Sequence, residues 1–269
     1  MNRIFCSTGT FIGRPNGRDY RLIPEYAKRF DVDAFELMLY SDWYGELPTI
    51  VDFLKDTGIS FPVLHAEKSI GHLITVGEEK TAMENFRANC NAAKKLGSEK
   101  MVLHLWNGPT LDENIERNLR AAKEFYRIAA GHGIELTVEN VVVKLGSSLA
   151  YLTRLYELCP EAHFTFDTKM AAFNAEMDAI YSPEYRWMWD ERVISHLHIN
   201  DYAGGYMNWK SLRTLHIGKG EIDLDTFFGF IKQHYTGTMT LECLVLNQDG
   251  TYLFEEMNES IAILRAKTE

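Results

Sequence analysis

The chain has 269 residues, 46% of them hydrophobic and 25% charged, which is the composition of a folded globular protein with ample material for a core and excludes a disordered or fibrous chain. The formal net charge is −10, whereas nucleic-acid binders usually carry a basic excess that neutralises phosphates, so no nucleic-acid partner is expected. No apolar run approaches the ~20 residues that cross a bilayer, and the opening MNRIFCSTGTFIG lacks the apolar stretch of a signal peptide; a cytoplasmic protein with no membrane partner is expected. Cys6, Cys90, Cys159 and Cys243 lie far apart with no C-x-x-C pair, and read as reduced thiols.

In chain order, short apolar runs alternate with amphipathic segments. RIFCST, AFELMLY and FPVLHAE are the first three predicted strands, rich in β-branched, aromatic or Leu residues. A helix is expected over 78–96, where Met83, Phe86, Cys90 and Ala93 share a face, Lys94 and Lys95 favour the C-terminal dipole, and Gly97 suits the stop. KMVLHLW is the fourth strand. After it, Ile115, Leu119, Ala122, Tyr126 and Ala129 mark one helix face, and the capping box from Thr110 to Glu113 places that helix over 111–130. IELTVEN, HFTFDT and VISHLHIND follow as strands five to seven. The loop YAGGYMNW, 202–209, has paired glycines and aromatics and suits either a mobile lid or an irregular connection. A helix follows Asp225 through Phe227, Phe228 and Ile231; TMTLECLV is the eighth strand, and a last helix covers 254–265. The sequon at Asn258 falls in that last helix and is discounted.

Eight strands spaced by roughly 30 to 45 residues leave room for one helix and its loops per unit, the βα repeat. The expected fold is a closed (β/α)₈ barrel, one domain over 1–269. The alternative, an open doubly wound sheet, often carries G-x-G-x-x-G after its first strand. Here the first strand runs into STGTFIGRPNG, and GKG at 218–220 follows no strong strand.

In such barrels active sites collect at the carboxyl ends of the strands. From the second strand to the eighth these ends carry Glu36, His65, His104, Glu139, Asp167, His198 and Glu242. Three carboxylates around one cavity repel unless some are protonated or a cation sits between them. Glu139, Asp167, Glu242 and His198 make an O,O,O,N set that suits one divalent ion, Mn²⁺, Mg²⁺, Co²⁺ or Zn²⁺. Lys169 offers another way to neutralise them, and each residue alone also suits a structural ion pair or a helix cap. His196 and His198 share a strand face, His198 nearer the carboxyl end, so His198 is the ligand candidate and His196 a hydrogen-bonded core residue.

The motifs TVEN at 137–140, FDT at 166–168, HLHIND at 196–201 and TLEC at 240–243 resemble, in order, those of the xylose isomerase-like barrels. That group joins sugar isomerases and epimerases with family 2 apurinic endonucleases. The segment 217–227, IGKGEIDLDTF, is similar to one that precedes the last helices in the family. The resemblance implies that Glu139, Asp167, His198 and Glu242 bind one divalent metal, with Glu139 and Glu242 also acting as acid and base. Where the family often has a histidine three residues after the strand-six Asp, this chain has Met170, and no Asp-x-His pair follows strand seven, so the endonuclease branch's multi-metal site is incomplete.

The expected activity is metal-dependent isomerisation or epimerisation of a sugar or keto-polyol, by proton transfer through an enediolate, in carbohydrate metabolism. His65, His104, Glu36, Trp106 and Lys169 are expected at the substrate, with Trp106 and Trp43 as pocket walls or simple rim packing. A keto-polyol dehydratase would begin with the same proton removal, and an endonuclease-like nuclease is the more distant alternative. The resemblance implies that a homo-oligomer is common in the family, but no interface is legible in the sequence.

Overall fold

Each of the eight predicted runs forms a strand in the computed structural model, which describes residues 2–268; the expected domain ends, Met1 and Glu269, lie outside the described residues. The strands are β1 (Arg3–Ser7), β2 (Ala34–Met38), β3 (Val63–His65), β4 (Lys100–Leu103), β5 (Glu135–Glu139), β6 (His163–Asp167), β7 (Ile194–Ile199) and β8 (Thr238–Leu241). They are hydrogen-bonded in chain order into a closed barrel. The pairs β1–β2, β3–β4, β4–β5, β5–β6 and β7–β8 run parallel, and β8 returns parallel to β1 with Ile4 opposite Met239 and Cys6 opposite Leu241. Strands such as β2 and β8 are buried at every residue. Both of their faces are covered, which is why they read as continuous runs and not as alternating ones.

The helices follow from caps and apolar faces. Helix Glu79–Leu96 starts one residue after its expected position and ends on Gly97, whose φ of 76° is the left-handed conformation that closes a helix without a Cβ penalty. Helix Leu224–His234 is capped by Asp223, whose carboxylate accepts the Thr226 N–H, and the last helix runs Phe254–Thr268, beyond the expected 265. The capping box misplaced one boundary. The helix expected over 111–130 is Ile115–Gly131. Leu111 has a φ of 41°, outside the helical range, and the Thr110 hydroxyl is engaged with His72 Nδ1 at 2.9 Å. Two residues after Thr110, Asp112 accepts the N–H groups of Lys144, Leu145 and Gly146 and the Tyr151 hydroxyl, so this stretch is a loop anchor.

Chain contacts divide into two compact units. One takes the chain up to Glu36 together with the chain from Phe166 onward, and the other is Leu37–Thr165. In the first, Phe166, Trp189 and Phe227 pack ring against ring, as do Phe11, Phe30 and Phe35. In the second, Phe86 and Phe125 meet edge to face at 4.7 Å. The four cysteines are free and buried. Among the described residues no helix is long and apolar enough to cross a membrane.

Candidate active site

In the unit that holds β1, β7 and β8, the polar side chains gather at the carboxyl ends of the strands. Asp167, the last residue of β6, is fully buried and caps the short helix Thr168–Phe173. Its two oxygens divide the work. Oδ1 accepts the Met170 N–H at 2.7 Å, while Oδ2 accepts from the Asn200 amide at 3.1 Å and faces His198 Nδ1 at 3.9 Å. Glu242, just past β8, brings Oε2 to 3.7 Å from the same nitrogen. Two carboxylate oxygens therefore stand around one imidazole nitrogen, both beyond hydrogen-bond length.

Behind this group the Glu36 carboxylate, fully buried on β2, lies 3.0 Å from His196 Nε2 and 3.2 Å from His198 Nε2, and accepts the Thr240 hydroxyl at 2.7 Å. Burial pushes its pKa up, but the two imidazoles outweigh burial and hold the carboxyl well below the ordinary range. His196 is also fully buried, with Nδ1 2.7 Å from the Thr238 hydroxyl, the hydrogen-bonded interior residue that the strand alternation predicted. Glu36, expected at the substrate, is thus engaged with three interior donors.

In the Leu37–Thr165 unit, His65, His104 and Glu139 end or follow β3, β4 and β5. His65 Nδ1 lies 2.8 Å from the Ala66 carbonyl and therefore carries the hydrogen, which turns Nε2 toward Glu139 Oε2 at 3.5 Å. His104 Nε2 is 2.7 Å from the same oxygen. Burial pushes the His104 imidazole down to about 4, against the pull of Glu139, so the ring is neutral at neutral pH and Nε2–H donates. Its Nδ1 is buried without a hydrogen-bond partner among the described residues. Trp106 is fully buried; its indole N–H donates to the Val141 carbonyl and its ring packs edge-on against Tyr151. Trp43 is buried against Tyr40.

Lys169 is nearly buried, and its backbone N–H donates to the Asn200 amide oxygen. Among the described residues its ammonium makes no ion pair with Asp167 or Glu242. The 202–209 loop is tied down, with Tyr202 donating to the Gly205 carbonyl, the Met207 N–H to the Phe173 carbonyl, and Trp209 packed edge-on against Phe173. Asp201 gathers the N–H groups of Tyr202, Gly218, Gly220 and Ile222 and so fixes the start of the 217–227 segment. A Cβ at Gly220 would come 2.3 Å from Asp201 Oδ1, so the close approach requires glycine there.

Asn200 and Thr240 were not singled out in the sequence, although the signal was present. Each stands two residues from a candidate ligand, His198 or Glu242, and period-two alternation puts such residues on one side of a strand. The donor chemistry in the first unit, two carboxylates and an imidazole, fits a divalent cation; none of its members is a thiolate.

A sequence model described as the xylose isomerase-like TIM barrel matches residues 24–266. Among curated proteins none matches this chain. Among solved structures, D-allulose 3-epimerase from Methylomonas sp. in complex with D-allulose is 16% identical, with a TM-score of 0.69, and the alignment covers 99% of this chain and 97% of that one. The 3-keto-D-glucoside 4-epimerase YcjR from E. coli is 17% identical with a TM-score of 0.69, covering 99% and 100%. The IOLI protein, whose structure has a binding zinc atom, is 13% identical with a TM-score of 0.69, covering 99% of each chain. At these identities the likeness establishes the fold.

Proposed function

Because the chain belongs to the xylose isomerase-like TIM barrel family, we propose that it is a divalent-metal-dependent isomerase or epimerase of a sugar or keto-polyol, with 1–269 as its one domain. The observation that carries this reading is His198 Nδ1, with carboxylate oxygens of Glu242 and Asp167 at 3.7 and 3.9 Å. Sugar epimerases among the structural neighbours support the substrate class.

Asp167, His198, Glu242 and Glu139 would hold the ion, which is Mn²⁺, Mg²⁺, Co²⁺ or Zn²⁺. When bound, it would supply a Lewis acid that acidifies the C–H beside a carbonyl. Glu139 and Glu242 would then remove a proton from that carbon and return one, to the same carbon for epimerisation or to the former carbonyl carbon for isomerisation. The Glu139 carboxylate is steadied by the His104 N–H at 2.7 Å, which keeps one oxygen in place. His104 Nδ1 would accept a substrate hydroxyl, with His65 beside it, and the Lys169 ammonium would meet a substrate oxygen. Glu36 and Trp106 are both fully buried and hydrogen-bonded, and would shape the substrate site. The net charge of −10 supports a small-molecule substrate over a nucleic acid.

A panel of ketoses, keto-polyols and their phosphates, assayed with Mn²⁺, Mg²⁺ or Co²⁺, tests the proposal. At least one should be converted to an isomer or epimer, with activity lost on chelation and restored by metal. If the folded, metal-supplemented protein converts none of them, the proposal is wrong.

A further inference from the structure

We infer that Glu36 is a positioning residue for His198: its carboxylate fixes that imidazole as the Nε2–H tautomer and thereby turns the Nδ1 lone pair toward Asp167 and Glu242. The consequence for metal binding rests on the proposed function, whereas the tautomer itself does not.

An ionised carboxylate has no hydrogen to give, so every polar atom within hydrogen-bond reach of it must donate. Glu36 Oε2 has three such neighbours: His196 Nε2 at 3.0 Å, His198 Nε2 at 3.2 Å and Thr240 Oγ1 at 2.7 Å. Glu36 Oε1 lies at the same 3.2 Å from His198 Nε2 but, among the described residues, accepts no hydrogen bond, so all three contacts converge on Oε2. Both imidazoles therefore carry their hydrogen on Nε2. The second nitrogen of His196 is compatible with this, because the Thr238 hydroxyl at 2.7 Å can donate to Nδ1. On His198 the second nitrogen faces the carboxylate oxygens of Asp167 and Glu242 with a lone pair, the polarity a cation would need and a proton would remove.

The arrangement also explains a second histidine one layer below the candidate ligand. His196 and Thr240 hold the Glu36 carboxylate from β7 and β8, and with the carboxylate fixed the His198 ring cannot exchange tautomers cheaply. Carboxylates behind metal-binding imidazoles act in this way, and their loss typically weakens metal affinity 10- to 100-fold. Gln at position 36 would present an amide NH₂ to this set of donors. The neutral amide holds the three donors more weakly than an ionised carboxylate, and wherever its NH₂ meets His198 Nε2 the ring hydrogen must move to Nδ1, the position of the cation.

Two measurements test the inference. In ¹⁵N-histidine-labelled, metal-free wild-type protein, long-range ¹H–¹⁵N correlation should show His196 and His198 as Nε2–H tautomers. His198 found as Nδ1–H or as imidazolium would overturn the assignment without any variant. Calorimetric titration with Co²⁺, together with its visible spectrum, should then show Glu36→Gln binding about 10- to 100-fold more weakly than wild type, with an altered ligand-field band. Equal affinity and an unchanged spectrum in a folded Glu36→Gln protein would overturn it too. If wild type shows Nε2–H but binds no Co²⁺, Mn²⁺, Mg²⁺ or Zn²⁺, the proposed function fails and the positioning of His198 stands.

Discussion

Asp167 is both a helix cap and a member of the candidate site, because its two oxygens face different neighbours: the Met170 N–H on one side, Asn200 and His198 on the other. In the sequence these two tasks looked like alternatives. Strand alternation made the shared face of His196 and His198 legible, but not their contacts with Glu36, since these partners lie 160 and 162 residues away and only barrel closure brings them together. Asn200 ties Asp167 to the backbone of the helix that follows it. Its amide oxygen takes the Lys169 N–H at 3.0 Å and its NH₂ group donates to Asp167. Asn200→Ala leaves a buried N–H without its acceptor, and chemical denaturation without metal should show a loss of about 1–3 kcal/mol. A loss below about 0.5 kcal/mol, the scale of an ordinary surface change, would mean that Asn200 is not a structural tie.

Among the elements, strands were read well because each is a short run bounded by polar residues, and the helix Glu79–Leu96 because its apolar face and Gly97 agree. The box at Thr110 failed because a capping signal describes only local hydrogen bonds. Asp112 finds three N–H donors on a distant loop and the Tyr151 hydroxyl on the helix after it, and those contacts decide the conformation. Close packing of elements was equally hidden. Helix Ser69–Thr75 lies so near the end of β4 that a Cβ at Gly71 would come 2.3 Å from the His104 carbonyl oxygen and 2.8 Å from Leu105 backbone atoms. Backbone cannot swing aside as a side chain does, so Gly71→Ala should cost at least about 2 kcal/mol in unfolding experiments. A neutral effect would show that the helix slides freely.

The connection between the 217–227 segment and the last helix carries a pH dependence. His216 donates from Nε2 to the Leu244 carbonyl at 2.9 Å, and its Nδ1 is 3.2 Å from Ser260 Oγ. Burial holds this imidazole below its ordinary pKa, with Lys219 acting in the same sense and the Leu244 carbonyl, Glu256 and Glu259 opposing. The fold therefore keeps the ring neutral, while the unfolded chain takes up a proton below about pH 6.5. The stability that His216 contributes is present above that pH and is lost as pH falls through the folded pKa. The stability gap between wild type and His216→Gln should accordingly narrow from pH 7 to pH 5; a gap independent of pH would contradict the assignment.

For the molecule as a whole, the closed order of eight parallel strands was legible because βα alternation repeats along the entire chain. A cation that binds only the folded barrel stabilises it by mass action, about 2.7 kcal/mol at one hundred times its Kd. For a chain of this size that corresponds to a rise in Tm of roughly 5–10 °C. No rise with any of Mn²⁺, Mg²⁺, Co²⁺ or Zn²⁺ would argue against a metal site. The central claim is proton transfer at the carbon beside a carbonyl, and the most direct test is turnover of the ketose or keto-polyol found in the panel, in D₂O with metal present. Nuclear magnetic resonance of the product should show one deuterium on the carbon that receives the returned proton, the carbon that lost its own in an epimer and its neighbour in an isomer, and Glu139→Gln should abolish its incorporation. Product formed with no deuterium, or deuterium incorporated equally well by Glu139→Gln, would contradict the account.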